Sequence, residues 1–281
     1  DSISNLESAG YNSGLITKYS TSGTKAWTVL FGTDTPANIN INVSANYLDS
    51  SGNIYVSGVV WPSGATGTFH SNSIPNQRTL FVTKYNSSGT RLWTSVKNTV
   101  PCTGGYLTVD SSGNSYITGT VLAGGLDSFV NSAWTDDGLP LVKFASNGNW
   151  VATGGASAGS STNGNLAGRG VATDASGNIY VLAQANKNAP CGFGGANYGA
   201  SLLKFNSSLV YQTCTALGNA AYQTYALGLS KDSSGNFYAT GYTAGNLGGQ
   251  TKTGALDMFI VQYNSSMSIA WVRLLGVSGA N

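Results

Sequence analysis

The chain repeats itself, and that property limits the folds open to it more than any other. The run Asp49-Ser50-Ser51-Gly52-Asn53 returns as Asp110-Ser111-Ser112-Gly113-Asn114, as Asp174-Ala175-Ser176-Gly177-Asn178 and as Asp232-Ser233-Ser234-Gly235-Asn236, at steps of 61, 64 and 58 residues. A second motif interleaves with it. Lys18-Tyr19-Ser20-Thr21-Ser22-Gly23 matches Lys84-Tyr85-Asn86-Ser87-Ser88-Gly89, then Lys143-Phe144-Ala145-Ser146-Asn147-Gly148, Lys204-Phe205-Asn206-Ser207-Ser208 and Gln262-Tyr263-Asn264-Ser265-Ser266. An aromatic residue follows each of these turns: Trp27, Trp93, Trp150, Tyr211 and Trp271.

Both motifs read as hairpin turns. An Asp or Asn opening a short connection accepts bonds from backbone N–H groups two positions on. The Gly supplies the positive φ that closes a type I turn with a bulge. Asp49, Gly52, Asp110, Gly113, Asp174, Gly177, Asp232 and Gly235 therefore have structural roles as turn residues. Two hairpins make four antiparallel strands, and such a sheet is one propeller blade. The expected fold is an all-β propeller of four-stranded blades, a single domain over residues 1–281, five-bladed with one incomplete blade. A half unit spans about 11–35, and full units span about 39–98, 103–155, 165–215 and 222–275. The repeated Trp is expected to wedge one blade against the next.

Composition agrees. Charged residues are 9% of the chain, against roughly 25% in ordinary soluble domains, and Glu7 is the only Glu. Residues that build amphipathic helices are scarce, while Tyr, Thr, Val and Ile suit half-buried pleated surfaces. The net charge of +2 is too small and dispersed to argue for nucleic acid or an anionic membrane surface. No apolar run approaches the roughly 20 residues of a membrane-spanning helix.

The runs D-S-S-G-N-x-Y-x-T-G, K-Y-N-S-S-G-T-x-x-W and L-L-G-V-S-G-A resemble SBBP-type β-propeller repeats, and residues 241–281 are the most similar part. The resemblance runs from about Gly14 onward and implies a bacterial, exported or surface-associated propeller, as in spirochaete proteins. It implies no catalytic residues and no cofactor. Leu209 and Met267 depart from the pattern by replacing the turn glycine, and Gln262 replaces the Lys. Five hairpins of the second kind stand against four of the first. The odd half unit is expected to close a five-bladed ring as a thinner blade, to take a hairpin from a neighbouring chain, or to mark a piece of a longer array.

Cys102, Cys191 and Cys214 follow no metal-knuckle spacing, which leaves one disulfide and a free thiol, or three thiols. Cys191 and Cys214, nearest in sequence, are the first candidates for a disulfide. Four N-x-S/T sequons begin at Asn42, Asn86, Asn206 and Asn264, three of them inside the repeated turn.

Signals for chemistry are sparse. His70 is the only histidine and lies between two hairpins of one unit, so it reads as a solvated loop residue. No G-x-S-x-G run stands between a strand and a helix. Asp136-Asp137 is the only adjacent acidic pair and reads as a turn before the strand at 139–144. Each Asp-Ser-Ser-Gly-Asn loop offers one carboxylate, too few for a calcium site. Trp61 and Trp134 fall outside the hairpin pattern, in long connections where exposed aromatic groups stack on sugars or anchor partners.

The expected function is therefore a non-enzymatic exported or cell-surface module that binds a protein or glycan. Trp61, His70, Arg78, Trp134, Asp136 and Asp137 are its candidate contacts. The alternative is a subunit of an extracellular fibre or homo-oligomer completed by hairpin exchange. A glycosidase or lyase on a propeller scaffold is the third reading.

Overall fold

The computed structural model describes residues 13–32, 39–62, 64, 66–98, 102–121, 138–157, 166–185, 190–191, 198–218 and 221–278. Twenty strands run through them, and no helix. An N-terminal hairpin pairs β1 (Gly14–Tyr19) with β2 (Lys25–Phe31). The first four-stranded sheet joins β3 (Ile39–Leu48), β4 (Ile54–Pro62), β7 (Thr79–Tyr85) and β8 (Arg91–Asn98) in that order. Between β4 and β7 a small strap pairs β5 (Gly67–Phe69) with β6 (Asn72–Ile74). The second sheet holds β9 (Cys102–Val109), β10 (Ser115–Val121), β11 (Gly138–Phe144) and β12 (Trp150–Ser157). The third holds β13 (Leu166–Thr173), β14 (Ile179–Ala185), β15 (Gly199–Phe205) and β16 (Tyr211–Leu217). The fourth holds β17 (Thr224–Lys231), β18 (Phe237–Thr243), β19 (Asp257–Tyr263) and β20 (Ile269–Leu275).

All these pairs are antiparallel meanders, so the chain is an all-β, propeller-like array of four-stranded sheets with a two-stranded sheet at its start. The strap adds two strands that the repeat did not announce. Among the described residues no strand pairing joins the fourth sheet to the N-terminal hairpin or to the first sheet.

The turns explain the registers. In the first hairpin of each sheet, Gly52 N–H donates to the Asp49 carbonyl at 3.0 Å with φ of +78°, and Gly113, Gly177 and Gly235 repeat the bond. Their Asp side chains hold the loop from within. Asp49 Oδ1 accepts from Ser51 N–H at 2.9 Å and Asn53 N–H at 2.8 Å, and Oδ2 accepts from Asn53 Nδ2 at 2.8 Å. The second hairpins carry a register shift at the same place each time, between the Lys (or Gln262) and the aromatic residue after it. Each first strand also bulges once, between Val43 and Ala45, Gly104 and Tyr106, Gly168 and Gly170, or Ala226 and Gly228. A bulge raises local twist, and one in each first strand is shared by all four sheets.

Four apolar clusters fill the spaces between successive sheets. Tyr55, Leu80 and Val82 of the first sheet meet Leu107, Ile117 and Phe144 of the second. Leu139 and Leu141 meet Ile179 and Val181, and Leu202 meets Phe237 and Val261. On the other side of the first sheet, Phe31 joins Val56, Val60 and Phe81 with Phe69 and Ile74 from the strap. Each fully buried side chain of this kind contributes about 1.5–3 kcal/mol, which no sheet obtains alone. A disulfide joins Cys191 to Cys214 and so ties the β14–β15 connection to β16.

Candidate functional site

The four first strands, β3, β9, β13 and β17, end on one cavity of about 900 Å³. Its wall is made of their last residues and of the Asp-Ser-Ser-Gly-Asn turns that follow. Asn46, Tyr47 and Lys84 come from the first sheet, Thr108 and Ser112 from the second, Thr173 from the third, and Ser230 and Lys231 from the fourth. A volume of this size is in the range of small-ligand sites, and the lining is rich in hydroxyl and amide groups.

The four turn carboxylates at this mouth are not free acids waiting for a substrate. Burial pushes Asp49 toward protonation, but the bonds from Asn53 and Ser51 outweigh it and hold the group below its ordinary value. Asp174 is held down in the same way by Asn178, Tyr180 and Ser176 against the same burial. In Asp232 the Asn236 amide is the leading cause of the depression. The Tyr116, Tyr180 and Tyr238 hydroxyls donate to Asp110, Asp174 and Asp232 at 3.0, 3.0 and 3.2 Å. The Tyr180 hydroxyl is pushed up to about 12, by burial first and then by Asp174. Asp49, Asp174 and Asp232 stay ionised as acceptors within their turns, leaving the serine hydroxyls and lysines to face a ligand. Burial, then Asp49, also raises the Tyr47 phenol, so it stands at the rim as a neutral donor.

Asp257 completes the described acids. Thr253 N–H and Gly254 N–H donate to it at 2.8 and 2.7 Å, and the Thr253 bond is the first cause of its lowered pKa. Every acid among the described residues thus accepts backbone N–H bonds in a loop.

The residues singled out from sequence do not form one cluster. Trp61 and Arg78 come together, with the guanidinium 4.9 Å from the indole centroid, so a cation covers the ring face that would stack on a ligand. His70 lies elsewhere and is buried, 6% exposed, unlike the solvated loop histidine expected. The strap turns its backbone to a φ of +49°, stacks the imidazole on Phe69 at 4.1 Å, and places Nδ1 2.7 Å from Thr94 Oγ1. Burial, followed by the charge of Arg91, lowers its pKa to about 3, so it is neutral. It lines a second cavity of about 480 Å³ between the N-terminal hairpin and the first sheet, with Trp27, Phe31, Tyr85 and Arg91. Trp134, Asp136 and Asp137 lie outside the described residues.

Tyr47, Lys84 and Lys231 were missed because each looks like an ordinary strand or turn flank. The available signal was the repeat itself. Residues just before each turn Asp must share one end of the array, and there the copies differ: Leu48, Val109, Thr173 and Lys231.

No family model matches the chain, and no curated protein is similar to it. Solved structures do resemble it. A protein of unknown function from Dyadobacter fermentans aligns with 86% of this chain and 71% of its own at 12% identity and a TM-score of 0.51. One from Bacteroides caccae covers 90% and 72% at 14% identity and 0.46. A xylan β-1,4-xylosidase from Bacillus halodurans covers 87% and 45% at 12% identity and 0.45. A GH43 protein from Bacillus licheniformis and an ulvan lyase of family PL25 match at 0.43 and 0.44.

These matches correct one expectation. The expectation of a non-enzymatic module rests on the lack of a contiguous catalytic motif, yet the similar structures include a xylosidase and a polysaccharide lyase. The physical reason is that carboxylates contributed by different sheets leave no spacing signature. Asp127, Asp136 and Asp137, moreover, lie outside the described residues.

Proposed function

We propose that the protein binds a polyhydroxylated ligand, a glycan chain, at the mouth formed by its four inner turns. The observation that carries this reading is the convergence of all four first strands on a single polar cavity of about 900 Å³. Serine and threonine hydroxyls and asparagine amides line it, which suits a ligand with many donors and acceptors and little charge. Lys84 and Lys231 add cationic donors for an acidic sugar.

The same proposal places the chain among SBBP-type repeat propellers, supported by the alternation of its two hairpin motifs. It takes the N-terminal hairpin as half of a further blade, with no commitment to which chain's sheets flank it. Export is supported by the Cys191–Cys214 disulfide, since such bonds persist mainly in oxidising compartments.

Calorimetric titration with neutral and acidic oligosaccharides tests the reading, with the same mixtures assayed for cleavage products. At least one series is expected to bind, and Tyr47→Ala or Lys231→Ala to weaken it about tenfold, the scale of one lost hydrogen bond to a charged group. Absence of any binder, or binding indifferent to both substitutions, would overturn the assignment to this mouth.

A further inference from the structure

The third strands meet the next sheet in the same way at every interface, and among the described residues the two halves of this contact stand uncovered at opposite ends. On the side that each sheet turns toward the next, two positions of the third strand are buried: Leu80 and Val82, Leu139 and Leu141, Ala200 and Leu202. The same positions in the fourth sheet are Met258 and Ile260, 59% and 39% exposed. Leu275, paired with Met258 across β19 and β20, is 65% exposed. On the opposite side, the aromatic residue ending the third strand is buried in every four-stranded sheet, as Tyr85, Phe144, Phe205 and Tyr263. Its counterpart in the N-terminal hairpin, Tyr19, is 60% exposed.

The turns that carry glycine, like that of the N-terminal hairpin, add a second contact. Trp27 Nε1 donates to the Ser87 carbonyl at 3.2 Å, and Trp93 Nε1 to the Ser146 carbonyl at 3.1 Å. A Cβ at Gly89 would stand 3.2 Å from the Trp27 ring, and one at Gly148 2.9 Å from that of Trp93. At the ends this contact is split. Nothing lies within 4 Å of the equivalent point on Gly23, and the Trp271 indole N–H meets no acceptor among the described residues.

We infer that a second copy of this chain covers the fourth sheet. Its N-terminal hairpin docks over Met258 and Ile260 through Tyr19, and Trp271 reaches the carbonyl of Thr21 in its turn. Among the described residues the hairpin carries the exposed surface that the repeat shapes for this face. Within its own chain the hairpin is anchored by its other side to the first sheet, where Lys18 Nζ and Trp27 Nε1 both bond the Ser87 carbonyl and Phe31 is buried, and this leaves Tyr19 exposed. The contact joins unlike surfaces, so it extends head to tail instead of closing as a two-fold dimer. This inference is independent of the glycan site, which lies at the inner turns.

Two variants of the full chain test it by size-exclusion chromatography with light scattering. Met258→Asp/Ile260→Asp removes the receiving face, and Tyr19→Asp removes the donating one. Both changes are at exposed positions, and unchanged near-ultraviolet circular dichroism confirms folding. The wild type is expected to grow in mass with concentration, each variant to remain monomeric, and an equimolar mixture to give a heterodimer and nothing larger. Monomeric wild type at all concentrations, self-association of either variant, or a mixture that stays monomeric would each overturn the inference.

Discussion

His70 shows how far one side chain can move from its apparent role once the backbone around it is known. A lone histidine between hairpins looks solvated, but the strap folds it inward against Phe69 and Thr94. A buried neutral imidazole makes stability depend on pH in a definite direction. Its folded pKa, about 3, lies below the ordinary 6.5, so between those values the unfolded chain binds the extra proton. Stability attributable to His70 is therefore complete above pH 6.5 and falls as the pH drops toward 3, by at most about 1.4 kcal/mol per unit. His70→Asn keeps a residue that tolerates positive φ and removes the titration. Urea unfolding at pH 7 and pH 5 should show a smaller loss of stability in the variant than in the wild type. An equal loss in both would contradict the neutral, buried assignment. The lowered carboxylates Asp49, Asp174, Asp232 and Asp257 add a second decline at lower pH. Their contribution is present above the unfolded value near 3.8 and is lost as the pH falls through the depressed folded values.

At the scale of the element, two turns break the glycine rule and show what replaces it. Leu209 and Met267 adopt φ of +62° and +65°, a conformation costing a side chain about 1–2 kcal/mol. Both are buried in the clusters between sheets, Leu209 against Leu139 and Ala156 of the second sheet. There Leu209 takes the space that a tryptophan ring fills over Gly89 and Gly148. Trp150, displaced from that role, is half exposed with Lys97 Nζ 4.0 Å from its ring centroid. Leu209→Gly would relieve the backbone but leave a cavity of the kind that costs about 2.7–5 kcal/mol, a net loss near 2 kcal/mol. A lower urea midpoint is the expected result, and a raised one would show that the turn governs. Hairpins were legible in the sequence because a turn is local: an Asp, a Gly and their spacing specify it within five residues. The strap was not, since residues 67–74 carry no repeat and are held by contacts with β4 and β8. For the same reason the Trp61–Arg78 pair was visible as two residues but not as one contact.

Among the described residues the molecule is an array whose interior sheets are covered on both sides and whose two end surfaces are exposed. Its repeat made the four-stranded sheets and their order readable from sequence, because each unit buries apolar faces only by stacking on its neighbours. The mouth was not readable. Tyr47 and Lys231 lie far apart in the chain and line one cavity because the first strands end at one level, and Lys84 joins them from β7. That convergence is the central claim, since the proposed ligand site exists only if the first and fourth sheets face the same cavity. Ser51 and Ser233 line it from those two sheets. Replaced together by cysteine in a Cys102→Ser chain, they can be challenged with a short bifunctional thiol reagent at high dilution. The account predicts an intramolecular cross-link, seen by mass spectrometry of the intact monomer, with a yield independent of protein concentration. A cross-link that forms only between chains, or none at all, would contradict it.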